Sequence, residues 1–274
     1  MDGRVARVVS APDRAVFVHG FGQTGRCGGP VLPRLAARLS WVTPDLPGHA
    51  GTPAPVGPFE AAGQALVEAH GPAWFVGYSM GGRVALAGAL ARPERVRGLV
   101  LIGVNPGLDD DAARAARRDE EQAWGRRLLT DGLDAFFTAW LEGPLFATLP
   151  AGARFEAERR RHDPGALAAA VEVLGLGSMP PLGSRLSSLE RPVLLVAGAR
   201  DPKFVALHRA MGARLPSATV VEVPGAGHAA HLERPDAVAD AIATWLDTQG
   251  APGSPEWGGA ERPAGGVGGP GEIG

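Results

Sequence analysis

Gly77-Tyr78-Ser79-Met80-Gly81 is the stretch on which the reading of this chain turns. It is a G-x-S-x-G, and its surroundings are those the motif requires. The apolar run Ala73-Trp74-Phe75-Val76 leads in and reads as a buried strand. A helical pattern from Gly82 to Ala91 leads out, and Arg92-Pro93 stops it. A strand turning this sharply into a helix leaves no room for side chains beside the serine, so glycine flanks it. The turn lifts the hydroxyl above the sheet edge and aims the helix N-terminus at it.

On either side, short apolar runs alternate with helical stretches. Ala15 to Val18 reads as a strand ending in His19-Gly20-Phe21-Gly22, and Val31 to Leu39 has a helical apolar spacing. Trp41 to Asp45 is a short strand entering Leu46-Pro47-Gly48-His49, and Phe59 to Ala69 is helical. Gly98 to Gly103, Pro192 to Gly198 and Val220 to Val223 read as further strands, and Pro235 to Leu246 as a closing helix. This alternation predicts an α/β protein with a mostly parallel sheet and helices on both faces.

One block interrupts the pattern. From Asp109 to about Arg185 no strand-like run occurs, and Asp110 to Leu129, Leu133 to Leu141, Arg154 to Arg161 and Gly165 to Leu174 all look helical. A helical block between two sheet strands reads as a lid over the C-terminal sheet edge, where open α/β sheets bind ligands. The expected organisation is therefore a core of residues 1–104 and 187–249, a helical lid of 105–186, and a disordered Gly/Pro-rich tail of 250–274.

Composition narrows the function classes. The chain is 45% hydrophobic with a net charge of -2, enough for a sizeable core and without the basic surplus of a nucleic-acid binder. No apolar stretch reaches the roughly 18 residues a membrane span needs. Met1-Asp2-Gly3-Arg4 lacks a signal-peptide apolar region, and Cys27 is the single cysteine, so a cytoplasmic location is expected. Lys203 is the only lysine against an abundance of arginine, glycine and proline, a bias that lowers the weight of any individual arginine.

A serine hydroxyl becomes a useful base or nucleophile when a histidine takes its proton and a carboxylate orients that histidine. Asp201 follows the strand ending at Gly198, and His228 follows the strand ending at Val223. Both fall at C-terminal strand ends, on the side of Ser79, in the order Ser, Asp, His that this fold uses. His231, three residues on, is the alternative base; an N-cap is the plain role for Asp201. The N–H groups of Met80 and Phe21 are the candidate oxyanion hole. His19 is expected to prop the loop, His49 to pack against backbone, Asp45 to cap a strand end, and Cys27 to be inert.

Gly77-Tyr78-Ser79-Met80-Gly81-Gly82-Arg83 resembles the nucleophile elbow of α/β-hydrolase-fold proteins. The arginine after the double glycine is similar to one branch, the 2-succinyl-6-hydroxy-2,4-cyclohexadiene-1-carboxylate synthases of menaquinone biosynthesis. Asp45-Leu46-Pro47-Gly48-His49, Pro106-Gly107-Leu108 with Arg114 and Arg117, Trp140 with Pro144-Leu145-Phe146, Arg200-Asp201-Pro202-Lys203-Phe204, and Gly227-His228 with His231 agree with it. The resemblance covers about Val16 to Leu246. It implies the α/β-hydrolase fold, a triad of Ser79, Asp201 and His228, and substrate contacts from Tyr78, Arg83, Arg117, Trp140 and Arg161. Arg161 stands in the run Arg159-Arg160-Arg161, and which of the three touches substrate is left open.

The resemblance implies a small polycarboxylate substrate, no cofactor and no metal. The reaction implied is elimination of pyruvate, with Ser79 as general base. Arginine fits such a substrate, because its fork makes paired charge-assisted bonds to carboxylates. The same triad would also serve a serine hydrolase of carboxylic esters or carbon–carbon bonds, and a non-catalytic ligand binder is the third reading. Neither a nucleic-acid nor a membrane partner is expected, and oligomeric state is left undetermined.

Overall fold

A computed structural model describes residues 12–249. Six strands form one sheet in the order β2-β1-β3-β4-β5-β6, every neighbouring pair parallel. They are β1 (Asp13–Val18), β2 (Leu39–Val42), β3 (Ala73–Tyr78), β4 (Val96–Ile102), β5 (Val193–Gly198) and β6 (Ala218–Val223). The helices are α1 (Val31–Arg34), α2 (Phe59–His70), α3 (Met80–Ala91), α4 (Asp111–Leu141), α5 (Glu156–Arg159), α6 (Pro164–Leu174), α7 (Pro202–Gly212), α8 (Ala230–Glu233) and α9 (Pro235–Gln249).

Every residue of β3 and of β5 is buried, which is why both read as unbroken apolar runs rather than alternating ones. Strand side chains point to the two faces in turn, so the sheet organises two cores. Val16, Val18, Phe75, Leu99, Leu101, Val193 and Leu195 join α2 and α3 on one face. Phe17, Trp74, Val76, Val100, Leu194 and Val196 join α1, α8 and α9 on the other.

Three details differ from the sequence pattern. The helix expected over Val31 to Leu39 is four residues long, Val31–Arg34. Leu39 sits at helical spacing from Leu35, yet it pairs with Asp13 as the first residue of β2. Sheet pairing overrides a short, weakly nucleated helix. The two helices expected at Asp110 to Leu129 and Leu133 to Leu141 are one run broken at Gly132, where φ is 78° and ψ is 171°. That region is open in practice only to glycine. The helix expected over Arg154 to Arg161 shrinks to Glu156–Arg159.

Between Ile102 and Val193 no described residue is in a strand. α4 packs along α6 there, around Leu128, Phe136, Phe137, Leu167 and Ala168. No helix among the described residues is long and apolar enough to cross a membrane. The tail expected at 250–274 lies outside the described residues.

Candidate active site

The elbow is built by close approach of backbones. A Cβ on Gly77 would lie 2.4 Å from Gly82 Cα, and one on Gly81 would lie 2.3 Å from both Val18 O and His19 O. No side chain larger than hydrogen fits either place. Between them Ser79 takes φ 49° and ψ -113°, a strained conformation for a residue with a Cβ. Its N–H donates to Ile102 O at 2.9 Å, which fixes the turn to the end of β4.

His228 and Asp201 arrive from the ends of β6 and β5. His228 Nε2 is 3.2 Å from Ser79 Oγ, and His228 Nδ1 is 3.3 Å from Asp201 Oδ2. The first distance is within general-base reach, and such contacts tighten when substrate binds. Asp201 also caps α7, its Oδ1 accepting from Phe204 N at 3.3 Å. The two roles weighed for Asp201 therefore coexist, one per carboxylate oxygen. The His228 ring is closed in by Phe204, Tyr78 and Phe146 at 4.5, 5.4 and 6.4 Å. Its loop hangs on Glu233, which accepts from Gly227 N at 2.7 Å and Ala229 N at 3.1 Å. His231 instead lies buried between the rings of Phe17 and Tyr78, where burial pushes its pKa down to about 3. It stays neutral and makes no contact with Ser79.

The loop carrying Phe21 is held by neutral imidazoles. His19 Nε2 accepts from Leu46 N at 3.0 Å and its Nδ1–H donates to Gly20 O at 2.8 Å. His49 Nε2 accepts from Gly22 N at 3.1 Å while Nδ1–H donates to Pro47 O. Each ring uses one nitrogen as acceptor and one as donor, which is the neutral form. Burial drives the same way: His19 is lowered to about 4 and His49 well below its ordinary value.

A cavity of about 380 Å³ opens above Ser79 and His228. Arg83, Arg117, Arg127 and Lys203 line it, and among the described residues no carboxylate does. Arg83 stands one helical turn beyond Ser79 and is 8% exposed. Burial lowers its pKa to about 10, with Glu121 opposing the shift and Arg117 adding to it, so it remains cationic at neutral pH. Its Nη1 is buried with no hydrogen-bond partner, and so is Trp140 Nε1 in the same cavity wall. Buried polar groups are almost always paired, so these two unsatisfied donors are exceptions within the residues that line the cavity. Arg117 Nε donates to the buried Glu121 at 2.8 Å, and its guanidinium lies 4.4 Å from the Trp124 ring. Glu121 also accepts from Leu176 N and Gly177 N, which ties α4 to the end of α6.

The chain matches the alpha/beta hydrolase family over residues 15–241. The chain belongs to that family. Proteins of Salmonella heidelberg (strain SL476) and Salmonella gallinarum, both named 2-succinyl-6-hydroxy-2,4-cyclohexadiene-1-carboxylate synthase, are each 37% identical to it over 239 residues. The matches span 84% of this chain and 92% of those relatives. Among solved structures it is similar to MenH from S. aureus, with a TM-score of 0.82 and 27% identity over 88% of this chain and 96% of that one. It also superposes on a thermophilic esterase from Thermogutta terrifontis, with a TM-score of 0.72 at 23% identity over 88% and 91% of the two chains. That second likeness speaks to the fold alone.

Within this alpha/beta hydrolase, the sequence-derived candidates fall into three groups. Ser79, Arg83, Arg117, Trp140 and His228 line the cavity, with Asp201 behind His228. Tyr78 lies beneath it, buried against His228, His231 and the backbone of Gly20 rather than facing the cavity. Arg161 is not brought in: it is exposed and paired with Glu158 at 2.8 Å, because α5 ends before it. Arg114 likewise turns to Asp111 and to Leu108 O.

Three polar or charged lining residues were not among the candidates. Arg127 follows Arg117 and Trp124 on one helix face, at i, i+7 and i+10, so the spacing held a signal. Lys203 was marked by being the only lysine. Asn105 carried no signal, since it reaches the cavity only through the loop after β4.

Proposed function

We propose that this enzyme of the alpha/beta hydrolase family is a carbon–oxygen lyase of menaquinone biosynthesis. It would convert 2-succinyl-5-enolpyruvyl-6-hydroxy-3-cyclohexene-1-carboxylate to 2-succinyl-6-hydroxy-2,4-cyclohexadiene-1-carboxylate and pyruvate. The observation that carries the reading is Arg83, a buried cation that lines the cavity with Ser79 and whose Nη1 has no hydrogen-bond partner among the described residues. A neutral ester gives that charge nothing to pair with, whereas a carboxylate does. The name carried by the Salmonella relatives supports the same substrate.

In this mechanism Asp201 holds His228 so that Nε2 faces Ser79 Oγ and takes its proton. The serine oxygen then removes the ring proton next to the succinyl ketone. The electron pair moves through the ring double bond and expels the enolpyruvyl oxygen, which leaves as the enolate of pyruvate and is protonated. The ketone oxygen carries negative charge on the way, and the N–H groups of Phe21 and Met80 would receive it. Arg83 and Arg117 would hold substrate carboxylates, with the Trp140 N–H as a third donor. The helices between β4 and β5 act as a lid that keeps water from the dienolate. The location expected for such an enzyme is the cytoplasm.

The test is pyruvate release from the cyclohexene substrate, read by coupled oxidation of NADH, beside release of nitrophenol from a 4-nitrophenyl ester. The lyase reading expects pyruvate and slow ester cleavage. Rapid ester cleavage with no pyruvate would hand the site to the serine-hydrolase reading.

A further inference from the structure

Of the run Arg159-Arg160-Arg161, two side chains face solvent. Arg160 pairs with Asp134 at 2.6 Å, and Arg161 with Glu158. Arg159 turns inward and is 2% exposed, the bulkiest fully buried side chain among the described residues. It does not reach the cavity above Ser79. Its Nη1 donates to Gly22 O at 3.0 Å and approaches Phe21 O at 3.5 Å. Its Nε donates to Arg154 O at 2.9 Å, and its guanidinium lies 5.2 Å from the Phe137 ring. Among the described residues no carboxylate lies within ion-pair distance of it. A buried guanidinium without a counter-ion carries a large desolvation cost, which a purely structural role would usually relieve with an acid. What it touches instead is the loop that carries Phe21.

We propose that Arg159 is a positioning residue that fastens the lid to the oxyanion loop and fixes the Phe21 N–H toward the developing negative charge. Gly22 is gripped from two sides: His49 accepts from its N–H, and Arg159 donates to its carbonyl. Phe137 fills the space a Gly22 side chain would need, at 2.4 Å from a built Cβ. Thr24 Oγ1 donates to Glu158 at 2.9 Å, a second tie between the same two segments. Closure of the lid and assembly of the oxyanion hole are then one event.

This rests on the reading of Phe21 as an oxyanion donor, so the test separates the two. Arg159→Met keeps volume and apolar stem while removing donors and charge; Arg160→Gln is the control. Two readouts are used: kcat and KM for pyruvate release, and the rate at which diisopropyl fluorophosphate modifies Ser79. In the second, the Ser79 oxygen bonds to phosphorus, fluoride leaves, and His228 takes the proton, whatever the natural substrate is. Arg159→Met should lower kcat about 10- to 100-fold with KM within about 3-fold, and slow phosphorylation of Ser79 in parallel. Arg159→Lys should recover part of both, and replaces the Met variant if that variant does not fold. A wild type that releases no pyruvate but is phosphorylated by the reagent sinks the lyase reading and leaves the second readout to decide. Unchanged kcat and Ser79 phosphorylation, a rise in KM alone, a loss of thermal stability at wild-type kcat, or a wild type inert in both assays would each overturn the proposal.

Discussion

The elbow around Ser79 and the inserted helices face each other across one cavity, yet they are specified in opposite ways. At the elbow, backbone atoms stand so close to Gly77 and Gly81 that residue type is a steric necessity. In the insertion, α4 is rich in arginine, and only register separates Arg117 and Arg127, which reach the cavity, from Arg114, which does not. The elbow carries its chemistry in a local motif; the insertion carries it in which face of a helix is turned inward.

The largest expected effect attacks the elbow. Ser79→Ala removes the atom on which His228 acts and should lower kcat about 10⁴-fold or more, with ligand affinity measured by calorimetry largely kept. Residual activity within about tenfold of wild type would detach the triad from the reaction.

Arg83→Ala attacks the junction of the two regions. It should reduce kcat/KM for the tricarboxylate about 100-fold, the scale of one or two charge-assisted bonds, and affect a neutral 4-nitrophenyl ester only a few-fold. Equal losses on both substrates would deny the cavity a carboxylate clamp.

The third contrast is in titration. The core buries neutral histidines, with pKa values near 4 for His19 and His208 and near 3 for His231, each lowered chiefly by burial from 6.5. The unfolded chain binds these protons below pH 6.5 and the folded chain does not, so unfolding takes up protons in that window. Thermal stability should therefore be full above about pH 6.5 and fall progressively toward pH 4. A melting temperature flat across that range would mean these rings are less buried than the fold makes them.

The smallest effect sharpens the insertion. Arg161→Ala breaks an exposed pair with Glu158, worth at most about 1 kcal/mol, and should change kcat/KM less than about 3-fold. A loss as large as that of Arg83→Ala would mean that the segment after α5 rearranges to bring Arg161 to substrate.

Much of the fold was legible because its signals are local. Buried parallel strands read as apolar runs, and G-x-S-x-G stands between a strand and a helix. Asp201 and His228 were legible because each follows a recognisable strand. The misjudged elements lack that local anchor. Leu39 has helical spacing and strand pairing, and the sheet decides between them. Tyr78 belongs to the motif, but its strand position points it into the core packed by α8 and α9, against His231. Arg161 lost its expected place because α5 is too short to carry it round.

From sequence alone came the sheet, its strand order in the chain, the serine of the elbow, the aspartate and histidine that meet it, and the block of helices between β4 and β5. Each is encoded within about ten residues, in period, glycine and turn chemistry. Tertiary structure alone decided which arginines are cationic walls and which are solvated. Arg83 went to the cavity wall, Arg159 behind the loop that carries Phe21 and Arg161 to the surface. An arginine side chain is long enough to go either way, and only the surfaces packed around its helix determine which.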